Sequence, residues 1–133
     1  MGTIVVDSSV ILALFDPKDT LHVAAATAVR SARDAGHTFV LPASVLAEVL
    51  VGAARRGTAE LDLRHHQVVN AFGPPRCLDD PIAVAAAARR ARHQTLRLPD
   101  ALVIATADVI QADTVLTGDK RWGSLDPRVQ LVG

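Results

Sequence analysis

Residues 3–15, TIVVDSSVILALF, decide how the rest of the chain is read. Residues 3–7 are β-branched and apolar up to Asp7, without alternation, which is the pattern of a strand buried on both faces. Residues 9–15 are rich in leucine and aliphatic side chains and read as a short helix stopped by Asp16-Pro17. A fully buried strand running straight into a helix is the opening of a strand–helix unit in a parallel sheet. Asp7 stands at the joint between the two.

The chain continues in the same alternation. Residues 20–35 form an amphipathic, Ala-rich helix ending at Gly36, and TFVL (38–41) is the next strand. Pro42 opens a helix that runs through Arg56, with Gly57 after its end. Residues 58–72 are helical until GPP (73–75) breaks them, and RCL (76–78) reads as a short strand with Cys77 in the core. Asp79 or Asp80 caps a helix with Pro81 in its first turn, ending near His93. Another helix starts near Pro99, and TVLT (114–117) and VQLV (129–132) are the last strands. The pattern predicts a single domain over residues 1–133: an α/β fold, a three-layer α/β/α sandwich with a central, mainly parallel sheet. In such sheets ligands collect beyond the carboxyl ends of the strands.

Composition sets outer bounds. Half of the 133 residues are apolar, yet no run reaches the roughly 18–20 residues of a spanning helix. The N-terminus lacks the basic region of a signal peptide, and a single cysteine, Cys77, allows no intrachain disulfide and no thiolate metal cluster. A cytoplasmic protein without a membrane partner is expected. The formal net charge is zero, so a nucleic-acid surface would have to come from zoned rather than global charge. Of the 14 basic residues only Lys18 and Lys120 are lysine; a GC-rich genome and phosphate recognition by arginine forks both account for that bias.

Four acids stand out. Asp7 ends the first strand, and Asp119 follows Thr117 by two residues, so both belong at the carboxyl edge of the sheet. Asp100 opens a helix. Glu48, one of only two glutamates, lies among Val45, Leu46, Val49, Leu50 and Val51. Each has an ordinary account by itself: Asp7 and Asp100 as helix-start residues, Asp119 as a turn residue, Glu48 on a narrow exposed stripe. Together they suggest one acidic pocket. Two carboxylates about 4 Å apart repel by roughly 4 kcal/mol at an effective dielectric near 20, so such a pocket calls for protons or a cation. With no histidine or cysteine in these motifs the donors are hard oxygens, which suit Mg²⁺ or Mn²⁺, and the chemistry of such sites is phosphoryl transfer.

The motifs IVVDSSVILALF, AEVLVGAARRG, LPDALVIATA and VLTGDKRW, in that order, resemble the PIN-domain ribonucleases, and more narrowly the VapC-type toxins of bacterial toxin–antitoxin pairs. The resemblance covers nearly the whole chain. It implies a PIN-like sandwich and a Mg²⁺- or Mn²⁺-dependent endoribonuclease acting on tRNA or another structured RNA. It also implies a homodimer and a cognate VapB-type antitoxin. It makes Asp7 and Asp100 the direct metal ligands, with Glu48 and Asp119 completing the catalytic set and Thr117 and Ser8 as hydroxyls holding these carboxylates. Some relatives carry a further acid two positions beyond the one matching Asp119; here that position is Arg121, which points to one ion rather than two. The alternatives are a catalytically degenerate RNA- or partner-binding PIN-like domain, or another acidic-pocket α/β phosphohydrolase. For the latter, Asp7-Ser8-Ser9 lacks the D-x-D of a haloacid-dehalogenase-like phosphatase.

Lys120 and Arg121, next to Asp119, are the expected RNA contacts. Arg89, Arg90 and Arg92 read as a solvated helix face. Trp122 either touches a base or anchors its loop in the core. His65 and His66, adjacent on a helix, share no face and do not form a metal site. The helix bearing Val45, Val49 and Leu50 and the helix HVAAATAVRSA offer apolar surface for a partner helix.

Overall fold

A computed structural model describes the chain throughout, residues 1–133. Its elements in order are β1 (Thr3–Val6), α1 (Ser8–Phe15), α2 (His22–Asp34), β2 (Thr38–Val40), α3 (Ala43–Arg56), α4 (Thr58–Phe72), α5 (Asp80–Arg92), α6 (Leu98–Ile110), β3 (Thr114–Thr117), a 3₁₀ turn at Lys120–Ser124, and β4 (Val129–Leu131). The four strands form one parallel sheet in the order β2-β1-β3-β4. Successive residues of a strand point to opposite faces, and Val5 and Val6 are both fully buried, so helices cover the sheet on both sides. No helix is long and apolar enough to cross a membrane.

The expected alternation of strands and helices therefore holds, with ends shifted by a residue or two. The chain leaves β1 for β2 on one side of it, and β3 later pairs on the other side. The gap between the carboxyl ends of β1 and β3 is thus the place where the strand order reverses. One contiguous apolar cluster draws side chains from all six helices and from β1 and β3.

Three expectations need correction. Residues 76–78 are not a strand: Arg76 makes one isolated bridge to Pro42, and Cys77 is exposed rather than in the core. Arg76 donates to the Leu41 carbonyl and accepts from the Ala43 N–H, but α3 begins at Ala43, so the partner backbone leaves after one bridge and there is no ladder to extend. Arg89 is not a solvated face residue, because it is drawn into an ion network with Asp108 and Asp126. The 3₁₀ turn was not foreseen; it forms where Trp122, 1 % exposed, anchors the segment in the core, which decides between the two roles considered for that residue. Asp79 is the cap of α5, its carboxylate accepting from the Ile82 N–H at 3.1 Å.

Candidate active site

Asp7 sits at the reversal point. Its N–H donates to the carbonyl of Leu116 on β3 at 2.9 Å, which pins the backbone between the two central strands. It occupies the N-cap position of α1 with extended dihedrals, yet its side chain makes no capping hydrogen bond. The carboxylate turns toward β3 instead. Its Oδ2 accepts from Ser9 Oγ at 2.7 Å and from Thr117 Oγ1 at 2.8 Å. The capping account of Asp7 thus gives way to a side chain that is 5 % exposed and held by two hydroxyls through one oxygen.

The hydroxyls are themselves held. The N–H of Gly118 donates to Ser9 Oγ at 2.9 Å, and the N–H of Asp119 donates to Thr117 Oγ1 at 3.1 Å. The loop after β3 is thereby tied to Asp7 through both groups. Ser9 was missed as a candidate; the signal was the second serine of Asp7-Ser8-Ser9, one residue further into α1 than the one singled out. Ser8 faces Glu48, with Oγ 3.4 Å from Oε2.

Glu48 projects from the exposed side of α3, as the ordinary account of it had it, but toward other acids. Partial desolvation, then the charges of Asp7 and Asp100, push its carboxyl above the usual range against the pull of Ser8 and Arg97. Asp100 is raised as well, by burial first and then by Asp7 and Asp119, with Arg121 and Arg97 opposing. It is not used as a cap, since no side chain caps that end of α6. Asp119 goes the other way: hydrogen bonds from the Arg121 side chain hold it below the usual range. Its carboxylate also accepts from the Arg121 N–H at 3.0 Å, so the turn account of Asp119 holds alongside its place in the acidic group.

The structure therefore brings Asp7, Glu48, Asp100 and Asp119 from three helices' starts or faces and a strand-end loop to one edge of the sheet. No three of them are drawn tightly enough to make a preassembled metal cage. The donor set is nonetheless all carboxylate and hydroxyl, and two members, Glu48 and Asp100, are raised by burial first and by the neighbouring acids second. Both properties fit a hard divalent cation. Asp100 and Arg121 also border a cleft of about 130 Å³ floored by Leu96 and Trp122. Lys120 is exposed beside it.

A second polar cluster lies behind this loop and was not visible in the sequence. Arg89 of α5 reaches Asp108 of α6 at 2.7 Å and Asp126 at 2.8 Å, and Arg128 pairs with the same two acids at 2.5 and 2.8 Å. It fastens the far end of the loop to α5 and α6.

Comparison with known proteins agrees with this architecture. A toxin–antitoxin complex from Klebsiella pneumoniae superposes with a TM-score of 0.76 at 22% identity, over 96% of this chain and 95% of that one. FitAcB from Neisseria gonorrhoeae gives 0.73 at 23%, over 95% of each chain. VapC20 of Mycobacterium tuberculosis, a toxin that cleaves the sarcin–ricin loop, gives 0.66 at 18%, over 84% and 86%. No curated protein matches by sequence. The family model described as PIN domain matches residues 4–126, nearly the full length, and the chain belongs to the PIN domain family.

Proposed function

We propose that this PIN domain is a VapC-type toxin, a Mg²⁺- or Mn²⁺-dependent endoribonuclease of a toxin–antitoxin pair. The observation that carries the reading is Asp7: a nearly buried carboxylate fixed through one oxygen by Ser9 and Thr117, amid Glu48, Asp100 and Asp119. Asp7 and Asp100 would hold the ion, with Glu48 and Asp119 completing the set. When bound, the ion supplies positive charge for the phosphate and an activated water.

The chain's own groups do the rest. Ser9 and Thr117 keep Asp7 in one rotamer, so its position does not have to be found at each turnover. Glu48, at the rim, orients the attacking water. Lys120 and Arg121 contact the phosphate backbone. Attack in line with the 3′ oxygen leaves a 5′-phosphate and a 3′-hydroxyl, with no histidine base. The substrate class is tRNA or another structured RNA, a reading supported by a structural neighbour that cleaves the sarcin–ricin loop.

A VapB-type antitoxin and a second copy of the chain are the partners. A groove of about 400 Å³ between α1, α3 and α4 includes Leu12, Phe15, Val49 and Gly52, with Arg56 and Arg64 at its edge. Leu12 lies one turn beyond Ser8, and Gly52 one turn beyond Glu48, so the groove continues along the faces that carry the acidic site. A helical segment of the antitoxin laid there would reach the acids. End-group analysis of cleaved RNA tests the reaction. A 2′,3′-cyclic phosphate would rule it out, since the 2′-hydroxyl would then have attacked.

A further inference from the structure

Arg121 takes up both oxygens of Asp119. Its Nε donates to Oδ1 at 3.0 Å and to Oδ2 at 3.2 Å, its Nη2 to Oδ2 at 2.6 Å, and its backbone N–H to Oδ1 at 3.0 Å. The other acids are differently placed. Asp7 is held through Oδ2 alone, and Glu48 has only the long contact from Ser8. The acidic group is thus divided: one end has open carboxylate oxygens, and the other already has a positive charge in contact. The same guanidinium borders the cleft shared with Asp100, so its charge stays beside the site even when the fork opens.

We propose that Arg121 is a tethered second cation, so that each chain binds a single divalent ion, at the Asp7–Glu48–Asp100 end. This rests on the metal-dependent reading above and deepens it. A guanidinium matches a carboxylate or a phosphate with the same planar pair of donors. The pair with Asp119 faces solvent, where such contacts contribute little to stability, so the fork can exchange from carboxylate to phosphodiester at small cost. A phosphate would then be met by the ion on one side and by Arg121 on the other, the arrangement that a two-ion site achieves with its second metal.

The test is Mn²⁺ binding to the full chain, followed by calorimetry and by the electron paramagnetic resonance signal of free Mn²⁺. One ion per chain is expected for the native sequence and for Arg121→Lys, which keeps the charge. A second ion is expected in Arg121→Ala, and its loss in Arg121→Ala/Asp119→Asn. Arg121 is exposed, and circular dichroism checks that the variants fold alike. Two ions in the native chain or in Arg121→Lys, or one ion with Kd within twofold of native in Arg121→Ala, would overturn the proposal while leaving the metal-dependent reading intact. No Mn²⁺ bound by the native chain would overturn both.

Discussion

Thr117 and Asp7, 110 residues apart in the chain, are joined by a hydrogen bond of 2.8 Å from Oγ1 to Oδ2. Thr117 is fully buried at the end of β3 and also accepts the Asp119 N–H, so one hydroxyl sets the positions of two acids. Thr117→Val keeps the shape and removes both interactions. The expected cost is about 1 kcal/mol, a fall in Tm of about 3–5 °C. RNA cleavage and Mn²⁺ affinity are expected to fall about 10- to 100-fold. Ser9→Ala leaves the Thr117 bond and should lose less. Unchanged cleavage in both variants would show that Asp7 needs no support.

The acidic group should oppose folding when no cation is present. Glu48 and Asp100 have raised folded-state values, so their contribution to stability falls as pH rises from the unfolded carboxylate value through the raised one. At neutral pH, Asp100→Asn and Glu48→Gln are each expected to raise Tm in EDTA by about 1–3 °C. The same substitutions should abolish or shrink the increase in Tm that Mn²⁺ gives the native chain. Paired melts with EDTA and with Mn²⁺ check both signs. A lower Tm in EDTA for both variants would mean these carboxylates are favourably paired.

The cluster of Arg89, Asp108, Asp126 and Arg128 has the opposite sign. Hydrogen bonds from Arg128 hold Asp126 well below the usual range; Asp108, against the effect of its burial, is held down by Arg89 and Arg128. Their stabilisation is present above the unfolded value near 4 and is lost as pH falls toward the depressed folded values. Arg89→Met should therefore cost about 2 kcal/mol at pH 7 and make Tm less dependent on pH below about 4. Equal acid sensitivity in native and variant chains would assign the acid transition to other groups.

Lys120 and Arg121 should act on RNA as phosphate contacts. Lys120→Ala is expected to weaken binding to all RNAs by a similar factor and to reduce the slope of log K against log salt by about one. Filter binding of a Mn²⁺-free complex at several salt concentrations measures it. A loss confined to one RNA sequence would point instead to base recognition.

Much of this was legible beforehand because buried parallel strands and punctuated helices leave strong local patterns. TIVV and TVLT are unmistakably apolar, and Gly57 and Pro99 mark helix ends. Asp7 and Asp119 stood out for the same reason, since they follow such strands, whereas Thr117 came only with the resemblance to the PIN-domain ribonucleases. Ser9 was harder, since α1 begins at Ser8 and a shift of one residue at that boundary changes which serine faces Asp7. Arg89 left no trace, because its partners lie 19 and 37 residues further on and no period connects them. RCL (76–78) misled because its apolar residues suggested a strand, while the segment it pairs with turns into α3 at Ala43 after a single bridge.

The pairing of β1 with β3 also bears on synthesis. A ribosome makes Asp7, α1 and Glu48 first, but the strand that receives Asp7 and the loop bearing Asp119 come more than a hundred residues after Asp7. Chains halted before residue 114 are expected to leave RNA intact, and cutting by such fragments would contradict that order. An acidic edge assembled this way is born blunt: Asp7 and Glu48 leave the ribosome without the segment that completes it, and the proposed cutting waits for β3 and Asp119.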